Sequence, residues 1–196
     1  MSENEGPDDA ATRQRSFGER ERASVHITTL GATIVPGLLQ TESYLRAVVE
    51  AGGKVVGERL EEWVANRLWR QRVLTETGRE FVQLVLPGAL LWCAGSAAVM
   101  REQLAHLAVA SRLPGLRLGV VPIGRPVDVF PMHNMDLYRR RDGTSEVVVG
   151  TLAGTAVLGG SEDVDRHAEL LGKVERLAVF GSEAHAVIDE IGARYR

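Results

Sequence analysis

Arg67, Arg70 and Gln71, with Trp63 one turn earlier, are the residues whose types and spacing most directly suggest recognition chemistry. On a helix, positions four apart share a face, so Trp63, Arg67 and Gln71 line up, with Leu74 alongside. A planar guanidinium and an amide at that spacing can hold a carboxylate or a set of backbone carbonyls. Two uses are open: gripping a ligand, or tying the helix to a neighbouring loop such as the Pro36-Gly37 turn. Trp63, Trp69 and Trp92 can line a pocket or finish the edge of a core. Asn134 and Tyr138 complete the ligand-binding candidates.

His133 is the residue best suited to general acid–base work, because imidazole titrates near neutral pH. Strand alternation places Asn134 and Asp136 on one face and His133 with Met135 on the other, so Asp136 is not its natural partner. Asp128 or Glu146 can reach it only through tertiary folding. His133 and Glu146 are therefore the catalytic candidates of an enzyme; a structural, hydrogen-bonding His133 is the competing use. His106, His167 and His185 have no metal-ligand spacing, and Cys93 is the single cysteine, so no metal site is expected. Gly159-Gly160 precedes Ser161 as an ordinary helix lead-in, not a phosphate cradle, and no cofactor is expected. Arg139-Arg140-Arg141 reads as the solvated tip of a hairpin.

The elements that must position these residues follow from pattern. Residues 1–22 are polar, acidic first and basic later, and are expected to be a disordered or loosely attached arm. A single domain over 23–196 follows. Residues 23–33 are extended or loosely helical. Thr41 caps a short helix to Glu50, stopped by Gly52-Gly53, and an amphipathic helix spans 57–76 through Leu60, Val64 and Leu68. Phe81–Leu86 is a buried strand broken by Pro87-Gly88. Ser96 caps a helix over 97–111, and Leu116, Leu118 and Val120 alternate as a strand. Asp142-Gly143 joins two hairpin strands, Met135–Arg140 and Glu146–Leu152, since both turn residues tolerate positive φ. Ser161 caps a helix to about Phe180, Gly181 ends it, and Ser182 caps a last helix. The sum is an α+β domain: a small mixed or antiparallel sheet packed by several helices, with a helical C-terminus.

With 23 basic and 26 acidic residues the formal net charge is −3, which gives no field for nucleic acid. No apolar run approaches the roughly 18 residues of a membrane span. A lone cysteine suits a reduced, cytoplasmic setting.

Four stretches together resemble the uncharacterised domain that follows Xre-type helix-turn-helix modules in actinobacterial, antitoxin-like regulators. They are Val35–Thr41 with Tyr44, Arg46 and Ala47; Arg67-Leu68-Trp69-Arg70-Gln71-Arg72-Val73-Leu74; Gly95 with Val99–Leu104, Leu107 and Val120-Val121-Pro122; and the hairpin from His133 to Leu152. The resemblance runs over roughly residues 15–196. It implies a sensing or interaction domain. Two positions depart from the resembled pattern, Pro87 and Gly150, where glutamates are usual and look positioned to face a common site. Only about 20 polar residues precede the shared domain, too few for a helix-turn-helix, so direct DNA binding is not expected.

Two functions follow as expectations. The first is a stand-alone sensing or interaction domain that binds a small molecule or a partner protein without contacting DNA or membrane, homo-oligomerisation being open. The alternative is an enzyme recruited from that domain for an isomerisation or cyclisation in secondary metabolism.

Overall fold

A computed structural model describes residues 3–5, 10–52, 57–151 and 154–196, with side chains from Gln14 onward except at position 58. Its strands are β1 (Glu3–Glu5), β2 (Ser24–Gly31), β3 (Glu80–Val85), β4 (Leu116–Val120), β5 (Met135–Arg140), β6 (Ser145–Thr151) and β7 (Gly154–Leu158). They form one mixed sheet in the order β1-β7-β6-β5-β2-β3-β4. β2 is the pivot: it runs parallel to β3 and antiparallel to β5, joining a parallel half to an antiparallel meander. The helices are α1 (Ala10–Ala23), α2 (Glu42–Gly52), α3 (Glu58–Arg70), α4 (Pro87–Leu91), α5 (Ala97–Ala110), α6 (Ser161–Leu177) and α7 (Gly181–Gly192). The protein is thus α+β with a helical C-terminus, as expected.

Both sheet faces are covered. Ile27, Phe81, Val85, Tyr138 and Val148 pack with Tyr44 of α2, Met100, Leu104 and Leu107 of α5, and Ile188 of α7. On the other face Leu30, Leu84, Leu137, Val147 and Val149 meet Leu171 and Val174 of α6. Burial on both sides explains why residues 81–85 and 147–149 read as nearly unbroken apolar runs.

The structure differs from expectation in several places; the helix expected over 57–76 is α-helical only to Arg70, and the short α4 follows the Pro87 break. Within residues 1–22, expected as a loose arm, Glu3–Glu5 form β1 against β7, and α1 begins at Ala10. The inward stripe of that helix is Gln14, Phe17, Gly18 and Glu21, spaced for a helix but mostly polar, so hydrophobic periodicity does not reveal it. β7 was missed because five residues flanked by glycines look like a lead-in to α6. α6 starts after Gly160 and stops at Leu177; Val179 is extended and bridges Val120 through paired backbone bonds of 3.0 and 2.9 Å. Gly181, at φ +57°, opens α7 instead of ending α6. The expected stop at Gly53 and the hairpin end at Leu152 lie outside the described residues.

Elsewhere local chemistry acts as anticipated. Ser96 accepts the Val99 N–H at 3.3 Å at the start of α5, and Thr41 accepts the Tyr44 N–H at 3.3 Å at the start of α2. Pro87 ends the strand and occupies the first turn of α4, where no N–H is needed. Among the described residues no helix is long and apolar enough to cross a membrane.

Two glycines give opposite expectations. A Cβ at Gly119 on β4 would lie 2.8 Å from the Phe180 ring and 2.9 Å from Leu84, so Gly119→Ala should cost about 1–3 kcal/mol by overpacking. Gly172 lies inside α6 with ordinary contact distances, and Gly172→Ala should add up to about 1 kcal/mol. Urea unfolding midpoints of the two variants check both signs.

Candidate functional site

The segment of residues 31–41 leaves β2 and runs to α2 as one wall of a cavity. It contains few regular backbone bonds of its own, so side chains satisfy its polar groups. Gln71 donates to the carbonyls of Gly37 (3.2 Å) and Gln40 (2.8 Å). Gln103 of α5 donates to Leu39 O at 2.7 Å and accepts from Thr41 N at 2.8 Å. The Gln40 amide reaches Val35 O at 2.7 Å, and Val35 N donates to the Tyr44 hydroxyl at 3.2 Å. Asn134 Oδ1 accepts from the N–H groups of Ala32 (2.7 Å) and Thr33 (3.0 Å). Buried backbone groups need such partners, and here Gln40 of the loop itself and four side chains from four other regions supply them.

The opposite wall is α1 against α3. Glu21 and Arg70, both nearly fully buried, form a two-pronged ion pair, with Arg70 Nε at 2.9 Å from Glu21 Oε2. Arg70 also donates to Gln14 Oε1 and lies over the Phe17 ring at 4.9 Å. Burial by itself would lower the Arg70 pKa, but the hydrogen bonds and charge of Glu21 outweigh it and hold the guanidinium above its usual value. The C-terminal end of α1 is fixed by Arg79, whose guanidinium binds the carbonyls of Glu21 and Arg22 at 2.8 Å and also that of Ser24.

The floor is the centre of the sheet. Gln83, Thr29 and Asp136 stand directly opposite one another on β3, β2 and β5. Gln83 Nε2 donates to Thr29 Oγ1 (3.1 Å), which donates to Asp136 Oδ1 (2.8 Å). Burial pushes the Asp136 carboxyl up to about 6 against the Thr29 hydrogen bond; Glu21 raises it further, while Arg70 and Arg67 pull it down. Beside it Tyr138, held in the core, is raised well above the usual phenol value by burial and by the nearby acids.

These walls enclose a cavity of about 360 Å³. α1 contributes Gln14, Phe17 and Glu21; α2 contributes Val48 and Val49; α3 contributes Trp63, Arg67 and Arg70; the strands contribute Thr29, Asp136, Val148, Gly150 and Thr155, and Asn134 lines the space just before β5. Arg67 is mostly buried and stacks on Trp63 at 5.0 Å from the ring centroid. Its pKa is lowered to about 9 by burial first and by Arg70 second, which leaves it charged at neutral pH.

Of the sequence candidates, Trp63, Arg67, Arg70 and Asn134 meet at this cavity. Gln71 ties the loop wall and does not line the space. Tyr138 lies in the core behind Asp136, and Trp92, 72% exposed, follows α4 away from the site. The structure does not bring the catalytic candidates together. His133 is exposed; Glu146 pairs opposite Tyr138, about 17 Å further along the sheet at about 3.4 Å per residue. Glu146 is bound by Arg140 and, at 3.4 Å, by Arg20 of α1. Of the two departing positions, Gly150 lines the cavity and Pro87 does not. Gln14, Glu21 and Thr29 were missed; Asp136 was placed only on the Asn134 face, which is the face the cavity uses. Among the described residues no group of three or more His, Cys, Asp or Glu is arranged for a metal.

The chain belongs to the family described as Domain of unknown function (DUF5753), which matches residues 14–190. Every residue that lines the cavity lies inside that span. No curated protein matches the chain.

Two expectations follow from the charges. Glu21→Gln leaves Arg70 buried without its counter-charge and should cost about 3–5 kcal/mol, whereas the Glu21→Leu, Arg70→Met double variant should recover most of that loss in urea unfolding. For Asp136 the folded pKa, about 6, exceeds the ordinary aspartate value of 3.8. The fold therefore favours the protonated acid, and stability is fully present below the unfolded pKa and lost as pH rises through about 6. Asp136→Asn keeps an acceptor for Thr29 and removes this loss. Its stability relative to wild type should rise by roughly 3 kcal/mol between pH 3.5 and 7.5; an unchanging difference would contradict a desolvated Asp136.

Proposed function

We propose that this protein is a small-molecule sensing domain of the regulator type, and that its ligand occupies the cavity between α1, α3, residues 31–41 and the sheet. The observation that carries this reading is the cavity itself: about 360 Å³, walled by Ile34, Val35, Val48, Val49 and Val148, with Arg67, Asn134 and Asp136 converging on it. That combination of apolar lining and few oriented polar groups is typical of sites for small organic ligands. The over-determined loop wall supports it, because a preformed site avoids the entropic cost of ordering on binding.

The likeness of the Val35–Thr41 and Arg67–Leu74 stretches to the domain behind helix-turn-helix modules supports a sensing role in a cytoplasmic regulatory setting. The acidic balance supports a reading in which this domain makes no direct nucleic-acid contact. The enzyme alternative rests on His133 and Glu146, and neither reaches the cavity.

The test uses N-phenyl-1-naphthylamine, a neutral apolar dye whose emission rises in a dry site. The wild-type chain should give a saturable rise. Gly150→Trp places a large ring from an open, cavity-lining position on β6, and should abolish the rise while leaving the urea midpoint within about 1 kcal/mol of wild type. Equal emission from both proteins would place the dye elsewhere and sink the reading.

A further inference from the structure

Three buried or half-buried charges face the cavity together with Glu21, and they are not equally matched. Arg70 is saturated by Glu21 and Gln14. Asp136 is held by Thr29 through one oxygen. Arg67 is different. Its Nε is buried with no hydrogen-bond partner, and no described acid forms an ion pair with it. Its described contact is the face of Trp63. Arg70 and Glu21 form a nearly neutral unit behind it, so Arg67 presents an unpaired cation to the space.

The seat of that guanidinium is built into the loop. A Cβ at position 37 would lie 1.6 Å from Arg67 Nη1 and 2.9 Å from its Cζ. The absence of a side chain at Gly37 is what lets Nη1 of the guanidinium point end-on at the turn, while the Trp63 ring lies over its Cζ. The turn itself is fixed from behind by Gln71. A planar fork stacked on Trp63, fixed at Nη1 by the turn and left without a partner at Nε is suited to a two-oxygen acceptor.

We propose, building on the cavity reading above, that the ligand is a small organic acid: its carboxylate pairs with the Arg67 guanidinium and its apolar body lies against Val48, Val49 and Val148. A neutral occupant would leave Arg67 as costly as it is in the empty site. A cation would face it directly. A carboxylate supplies the missing counter-charge, and Asp136 on the opposite side is placed to accept a hydrogen bond from a hydroxyl or amine on the same molecule.

The experiment is competition against bound N-phenyl-1-naphthylamine by 4-phenylbutyrate, its methyl ester and its primary amide, at pH 7.5 with the full chain. Wild type should prefer the acid over ester and amide by about tenfold, as expected for one charge-assisted contact. In Arg67→Met the dye should still enter and the preference should fall to near one. Gly37→Ala keeps the charge but displaces the guanidinium from its seat, and should also erase the preference. Both variants should retain the wild-type unfolding midpoint or exceed it if Arg67 serves ligand binding only. A preference that survives both substitutions, or ester and acid competing equally in wild type, overturns the proposal while leaving the cavity reading intact. If neither dye nor acid binds wild type, as judged also by calorimetry with 4-phenylbutyrate alone, the cavity reading fails and this inference with it.

Discussion

The buried pair between Glu21 and Arg70 is the contact on which the site depends. It crosses from α1 to α3 in the middle of an inward stripe, Gln14, Phe17, Gly18 and Glu21, in which only one residue is large and apolar; Arg79 and the Arg20–Glu146 pair hold the helix nearer its C-terminal end. Gln14 and Phe17 complete the shell around the Arg70 guanidinium. The pair is a costly way to dock a helix, since apolar residues of the same volume would serve as well or better in stability. What it supplies in exchange is a charged wall whose own charge is cancelled.

That cancellation decides how the rest of the cavity behaves. Arg67 and Arg70 are three residues apart on one helix and repel each other, which contributes to the lowered pKa of Arg67. Because Glu21 is committed to Arg70 by two hydrogen bonds, it offers Arg67 only a longer-range attraction. Asp136 feels the same arrangement with opposite sign: Glu21 raises its pKa, the two arginines lower it, and burial dominates. The Gln83–Thr29–Asp136 ladder then fixes the acid's orientation from the sheet side. Two opposite charges therefore face the space from fixed positions without joining each other in an ion pair.

The legible part of this architecture is the part written in apolar periodicity and turn chemistry. The strands at 81–85, 116–120 and 135–151, the helices over 42–52, 58–70 and 97–110, and the Asp142-Gly143 hairpin could all be read, because each buries an apolar face or uses residues that favour its turn. α1 could not be read that way, since its inward positions are polar and find their partners 49 and 56 residues away in sequence. β7 is too short and too glycine-flanked to announce itself. The same division holds for the site. Trp63, Arg67 and Arg70 stood out as unusual residues on a helix face, and Asn134 as a polar residue at a strand entrance. Glu21 and Thr29 did not, because their roles exist only after α1 docks and after β2 pairs with β5.

Gln71 and Arg67 show why spacing alone cannot separate support from recognition. They sit one turn apart on the same face and touch the same turn. Gln71 donates to two of its carbonyls and is thereby used up, as an amide with short reach and neutral charge can be. Arg67 reaches past it to lie on Gly37, where the backbone offers bulk but no acceptor in line with Nε. A neutral side chain at position 67 could stack on Trp63 as well and would cost less to bury. The charge at position 67 therefore faces the cavity without a described ion-pair partner, and the turn that Gln71 secures is the surface its Nη1 meets.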